Sequence, residues 1–471
     1  MSVEAVLHSQ RGLIVAPAGC GKTHLITDTL GVSPNKPYLV LTHTTAGVAA
    51  LKQRLRRLSV PPQNYVVTTI DGWALRFANY FPGLCPIRSK PEQGNAFYPE
   101  LRRTVLNALR AGQITEIIHA SYSRLLVDEY QDCNVDQHQL IQELSTTLPS
   151  VVFGDPMQCI FNFGGPMPDW TEAVQGYFPV LNTLDIPWRW NNSETPELGQ
   201  WILQCREMLL EGQQIDLNAS PANVHHVELT GSKAIDSQNQ RNVHYLTLQD
   251  HPDESLLIMG NSRSPRSRHL FAQQTRSLDV VEPVELSDVI KAASSFDGSD
   301  GRHLIQHLLN AASEMMTNVE VAKTLQRLDT IQSGRNRTPP SPLEHTLMRL
   351  SQDASRTGLI EALQLLETKP GTRIYRKVAF SALKDSLSQA VTCPEQTIRE
   401  AASKIREQRR HEGDRRIPRR AIGSTLLLKG LECDHALILD AGEMNAKHLY
   451  VALSRGAKSV TVFSRGRFVG G

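Results

Sequence analysis

The sequence predicts an α/β protein built on two parallel sheets, each interrupted by a helical insertion. Three observations predict it. Short apolar runs alternate with amphipathic helical patterns, a glycine-rich turn follows the first apolar run, and the alternation stops twice for helical stretches before resuming. In order, Leu13–Ala16, Tyr38–Thr42, Val66–Thr69, Arg124–Val127 and Val151–Gly154 read as buried strands. Each is followed by a turn and usually by a helix. A polar, proline-containing stretch from Phe81 to Phe97 breaks the rhythm and opens a small helical insertion. The pattern restarts after Trp188, with a strand at Leu256–Met259 and a helix begun by Ser264 as N-cap and Pro265 at its first position. From Gly301 to Gln408 the chain reads as helices, broken by a loop or hinge at SGRNRTPPSPLE (333–344). Strands return at Ala436–Asp440 and Val460–Phe463. The expected organisation is therefore a first α/β domain from 1–75 and 119–183 with its insertion at 76–118. A second follows from 184–300 and 418–471, with its insertion at 301–417.

A chain of 471 residues with 40% apolar content has room for several cores. Its 50 basic and 48 acidic residues leave a net charge of +2, so any nucleic-acid surface must come from local clustering. One such cluster is KIREQRRHEGDRRIPRR (404–420), readable either as a stripe along a nucleic-acid backbone or as a solvated helix and hinge. The N-terminus lacks a basic segment leading into a long apolar run, and no stretch approaches the ~20 apolar residues of a membrane span. The expectation is a cytoplasmic protein with no membrane partner. Seven cysteines (20, 85, 133, 159, 205, 393, 433) form no CxxC pair, which argues for reduced thiols rather than a zinc site or disulfide framework.

Two segments carry chemistry. In LIVAPAGCGKTHLI (13–26), a strand enters a turn of small residues and then a helix. Ala16, Pro17, Ala18, Gly19, Cys20 and Gly21 let backbone N–H groups close around phosphates. Lys22 supplies charge to the β and γ phosphates, and Thr23 is a magnesium ligand. In LLVDEYQD (125–132), an apolar strand ends in two acids. Asp128 is placed to hold magnesium and Glu129 to polarise an attacking water. Together they imply hydrolysis of a nucleoside triphosphate with Mg2+.

Eight segments in order resemble the motifs of UvrD/Rep-like superfamily 1 DNA helicases: APAGCGKT, LTHTTAGVAALKQRL (41–55), TTIDGWALR (68–76), VDEYQD, VVFGDPMQCIFNFGG (151–165), DIPWRW (185–190), LLLKGLECDHALIL (426–439) and LYVALSRGAKSVTVF (449–463). The resemblance implies two RecA-like P-loop domains with small helical insertions. It makes Gln158 the glutamine linking the γ-phosphate to the DNA site, and Arg189 and Arg455 the two arginines reaching that phosphate. It places Trp188 on the adenine, His24 beside the nucleotide, and Gly430 and Glu432 near the ribose. It puts Thr42, Thr44 and Thr69 on the DNA backbone, with Phe161 and Phe163 stacking on bases. No glutamine precedes Lys22 at the spacing the family uses to read adenine, so strict ATP preference does not carry over. Asp71 stands where the family usually has histidine.

The compact set TxDGW, DEYQD and GDPxQ, with the chain stopping soon after its last motif, also resembles the helicase subunit of Gabija-type anti-phage systems. The expected function is ATP-dependent translocation or unwinding on single-stranded or tailed DNA, with implied 3′–5′ polarity and a separate nuclease or effector. The alternatives are a DNA-stimulated regulatory ATPase that senses ends or gaps, and a stand-alone repair helicase.

Overall fold

The computed structural model describes all residues except Met1, 91–93, 162–164, 413–417 and Gly471, and the backbone alone at 95, 411 and 412. The chain divides into two compact units, Met1–Glu228 with Ala441–Gly471, and Leu229–Asp440.

In the first unit, β1 (Arg11–Val15), β2 (Tyr38–Thr42), β3 (Tyr65–Thr69), β4 (Leu125–Val127), β5 (Ser150–Gly154) and β6 (Val180–Thr183) form a parallel sheet. Their order is β3-β2-β4-β5-β1-β6. Central strands of such a sheet are covered on both faces, which is why they read as unbroken apolar runs. The two-residue side-chain period divides them between two cores. Leu13, Val15, Leu39, Leu41, Leu125, Val127 and Val152 face one, and Ile14, Val40, Val67, Leu126, Val151 and Phe153 face the other. The first core also takes in Trp73 and Phe77 of the helix Ile70–Tyr80, and Leu101, Val105 and Leu109 of the insertion helix Gly94–Arg110. The insertion is thus part of the wall of the sheet. Two further pairings complete the unit. β7 (Ile215–Asp216) runs antiparallel to the C-terminal β14 (Phe468–Val469), and β8 (Val224–Glu228) runs parallel to β13 (Gly456–Ser464).

In the second unit, β9 (Leu256–Met259), β10 (Asp279–Val280), β11 (Arg420–Gly423) and β12 (Cys433–Ile438) are parallel, with β11 between β10 and β9 and β12 on the other side of β9. The helix Pro265–Gln274 begins as its sequence predicts, with Ser264 Oγ accepting from the Ser267 amide at 3.2 Å. Seven helices between Ser287 and Glu412 surround a core of Leu304, Leu308, Leu347, Leu363, Phe380 and Leu383. Two parallel, helix-flanked sheets are the RecA-like α/β arrangement expected from the sequence.

Boundaries moved where polar residues carried the signal. Residues 342–344, read as loop, open the helix Pro342–Gln352. Ser341 and Glu344 form a reciprocal capping box, Ser341 N donating to Glu344 Oε2 at 2.7 Å and Glu344 N to Ser341 Oγ at 3.3 Å. The strand expected at Ala436–Asp440 starts earlier, at Cys433.

Candidate nucleotide-binding site

β1 ends at Val15 and the chain turns through Ala16–Gly21 into the helix Lys22–Gly31. Gly19 and Gly21 have φ of +72° and +87°, a left-handed backbone that side chains rarely adopt. A Cβ on Gly19 would lie 2.7 Å from the Trp190 ring, and one on Gly21 3.0 Å from Trp188. No side chain caps the helix that follows. The contrast with its neighbours is informative: the helices after β2 and β3 are capped by Thr44 and Thr69, and the one after β4 by Asn134 in a capping box. The first amides of Lys22–Gly31 are thus left for an anion, which the positive end of a helix attracts.

Lys22 sits between the two acids after β4. Its Nζ is 2.7 Å from Asp128 Oδ1 and also bonds Glu129 Oε1. Burial works against the ammonium, but the carboxylates of Asp128 and Glu129 outweigh it and hold Lys22 above its ordinary pKa. Burial raises the Asp128 carboxyl, Lys22 opposes this, Glu129 adds to it, and the net direction is upward. One cation between two carboxylates leaves a negative charge, so this donor set suits Mg2+ on Asp128 and Thr23. Bound there, Mg2+ would neutralise phosphate charge.

Glu129 has φ +56° and ψ +41°, a left-handed conformation costly for a residue with a side chain. The strained turn is over-determined by its surroundings. Gln131 Nε2 donates to Glu129 Oε2 at 2.5 Å, while Gln131 Oε1 accepts from the Asp155 amide at 3.2 Å. Asp155, after β5, is buried and accepts from Arg206 Nε and Nη2 at 3.0 and 2.8 Å. Its other oxygen accepts from Gln158 Nε2 at 3.0 Å, and Gln158 also reaches the Ala16 carbonyl at 3.4 Å. Gln158 therefore touches the first residue of the turn after β1.

The remaining nucleotide candidates of this unit gather around the same turn. The Arg189 amide donates to the Gly19 carbonyl at 3.1 Å, and its guanidinium donates to the Ser454 carbonyl. Arg455 is buried, with Nε donating to the Val451 carbonyl at 2.8 Å and Nη2 to Ser454 Oγ at 2.7 Å. Trp188 is half exposed beside Gly21. His24 lies on the exposed side of its helix, 3.3 Å from Asp28. Burial pushes the Cys20 thiol up to about 12, so it stays protonated at neutral pH. Gly430 and Glu432 belong to the second unit, in the turn before β12, where Gly430 has φ +80°.

Five residues at this edge, Asp155 among them, were not singled out from the sequence. Tyr450 is fully buried and its hydroxyl accepts from the Ala18 amide at 2.9 Å. Arg206 and Gln131 hold Asp155 and Glu129. His43 lies against Phe161, ring centroids 5.9 Å apart. Asp155 alone gave a signal, since an acid directly after a buried strand needs a partner.

At the same carboxyl edge of the sheet, Thr44 is exposed while its Oγ accepts from Gly47 N at 3.0 Å. Thr69 Oγ accepts from Gly72 N at 2.9 Å. Thr42 is buried, 2% exposed, so any role there is in shaping the turn. Phe163 lies outside the described residues. Asp71 faces inward, paired with Arg102 through two 2.6 Å bonds. Ligands of open α/β sheets bind at this edge.

A UvrD/REP helicase N-terminal domain is matched over residues 88–179. This domain implies nucleotide binding and, at the level of the superfamily, ATP-hydrolysing helicase chemistry. The chain is 29% identical over 96 residues to RecBCD enzyme subunit RecB of Buchnera aphidicola subsp. Schizaphis graminum, covering 20% of this chain and 8% of that protein. It is 24% identical over 192 residues to Gabija protein GajB of Bacillus cereus, covering 33% of this chain and 39% of that one. The chain thus spans well under half the length of these relatives. An Arterivirus nonstructural protein 10 (helicase) complexed with DNA overlaps 55% of this chain and 49% of its own, at 11% identity and a TM-score of 0.28, too little to add to the argument.

Proposed function

We propose that this protein hydrolyses ATP to move along single-stranded DNA, as a helicase-class motor. The observation that carries the reading is the uncapped helix after β1 with Lys22 between Asp128 and Glu129. Those groups suit a triphosphate and its Mg2+: amides and Lys22 on the phosphates, Thr23 and Asp128 on the metal, Glu129 on the attacking water. Arg189, Arg455 and Gln158 serve as sensors of the γ-phosphate, and Trp188 as the platform for the base. Thr44, Thr69 and Phe161 form the DNA edge, where stacking on rings tolerates any sequence. Gly430 and Glu432 act near the ribose. By their motifs the motor halves are 1–75 with 119–183 and 184–300 with 418–471, a division that differs from the two compact units Met1–Glu228 with Ala441–Gly471 and Leu229–Asp440. The motif set and the partial likeness to the Gabija protein support 3′–5′ movement and work beside a separate nuclease or effector in defence against foreign DNA.

ATP turnover measured with and without single-stranded DNA, together with unwinding of 3′-tailed and 5′-tailed duplexes, tests the reading. Strong stimulation by single strands, unwinding from the 3′ tail, and loss of both in Lys22→Ala are expected. Stimulation without movement on any tail would leave a regulatory ATPase. Turnover indifferent to DNA would remove the motor altogether.

A further inference from the structure

Away from this site, the second unit brings together two histidines and a carboxylate from separate parts of the chain. His251 is the C-cap of the helix Lys233–Asp250, and Glu254 follows one turn later, its amide donating to the His251 carbonyl at 3.2 Å. His435 lies on β12, buried. Glu254 Oε2 is 2.5 Å from His435 Nε2 and 3.3 Å from His251 Nδ1, and one donor atom from each residue lies within 4.8 Å of the others. The imidazole rings are 4.3 Å apart and inclined by 30°.

We infer that His251, Glu254 and His435 form a site for a divalent transition metal, Zn2+ by ligand chemistry. Nitrogen donors select the borderline metals over Mg2+ and Ca2+. At metal–ligand distances of ~2.0–2.2 Å, ligand atoms of a tetrahedral site stand ~3.4 Å apart, so these three need shift by only about an ångström. The frame that carries them is fixed. Ser255 N and Oγ donate to Asp434 Oδ2 at 2.8 and 2.6 Å, Asp434 N donates to Ser255 Oγ at 2.9 Å, and His435 N donates to the Ser255 carbonyl at 3.0 Å. These bonds lock the residues beside Glu254 to those beside His435, which sets the two donors before any ion arrives. Such outer support is what gives metal sites their affinity.

The position assigns a role. Glu254 precedes the start of β9 and His435 lies near the start of β12, so the site is at the amino edge of the parallel strands. Ligands and chemistry of α/β sheets gather at the opposite edge. A metal here staples the end of one helix to the sheet.

The test uses the full chain stripped with a chelator, without nucleotide or Mg2+, and Co2+ as a coloured probe. Expected is uptake of a single Co2+ with the visible absorption of a low-coordinate site, displaced by Zn2+, and a melting temperature raised by Zn2+. His251→Ala, which changes an exposed residue and so leaves the fold intact, and Glu254→Gln should each weaken binding at least ~10-fold, the loss that follows even from removing an outer-shell partner. Asp128→Asn, which removes the cation ligand proposed at the nucleotide site, should leave the Co2+ spectrum unchanged. Absence of stoichiometric uptake, or uptake equal in His251→Ala and wild type, would overturn the assignment. So would a spectrum lost in Asp128→Asn.

Discussion

The proposed function asks Glu129 to do chemistry from a backbone conformation that ordinary residues avoid, and the cost of that conformation can be weighed by substitution. Glu129→Ala and Glu129→Gly both remove the carboxylate and its bonds to Lys22 and Gln131, so the difference between them isolates the backbone. At φ +56° an L side chain costs ~1–2 kcal/mol, and glycine costs nothing there. Against this, glycine loses ~0.4–1 kcal/mol more conformational freedom on folding. The balance leaves Glu129→Gly more stable than Glu129→Ala by about 0.5–1 kcal/mol. At an ordinary helical or extended position the order is the reverse, with glycine worse by ~0.5–1 kcal/mol. Urea melts of the two variants without nucleotide, compared at equal slopes, measure the sign. Alanine equal to or more stable than glycine would refute the claim that this turn is strained. On the proposed function both variants should also hydrolyse ATP very slowly, since each lacks the carboxylate assigned to the attacking water.

Arg206→Leu leaves Asp155 buried without its partner and should cost ~3–5 kcal/mol by the same melts; a loss under ~1 kcal/mol would mean the pair is replaceable. Arg189→Ala should cut turnover by ~10³-fold or more with an unchanged melt, and turnover within a few-fold of wild type would make it a structural residue only. Acid should weaken the second unit through His244, whose buried Nε2 has no hydrogen-bond partner among the described residues. Burial, helped by Arg420, lowers its pKa from 6.5 to about 4. The folded state therefore keeps it neutral while the unfolded chain charges: stability is full above pH 6.5 and falls towards pH 4, by at most roughly 3 kcal/mol. His244→Phe should flatten that slope, and an unaltered slope would shift the cause elsewhere.

What the sequence disclosed, and what it withheld, follows from how far apart the interacting groups lie. The strands were legible because burial on both faces leaves an unbroken apolar run, as at Tyr38–Thr42 and Leu256–Met259, whose limits match the structure. The turn from β1 into the helix Lys22–Gly31 was legible because its parts are contiguous. Arg206 and Tyr450 were not, since their partners, Asp155 and Ala18, lie 51 and 432 residues away, and nothing local marks either. The left-handed backbone of Glu129 was equally hidden, because the sequence there offers no glycine. At Ser341 the signal was present: Ser-Pro-Leu-Glu spells a capping box, masked by the prolines before it. The basic stretch at 404–420 is partly accounted for internally. Arg409 pairs with Asp385, Arg406 and Arg410 with Glu407, and Arg419 with Asp253, so its described residues behave largely as a solvated, ion-paired face.

The helix Gly94–Arg110 enters the chain as an insertion yet contributes Leu101, Val105 and Leu109 to the same core as β1, β2 and β5, and its Arg102 clamps Asp71 at the start of the preceding helix. It is therefore not a detachable module. Excising it would strip one face of the sheet and strand the Asp71 carboxylate, and transplanting it alone would carry an apolar flank with nothing to meet. The unit of exchange between this protein and any chimera is the whole span from Ile70 to Ser121, not the helix alone.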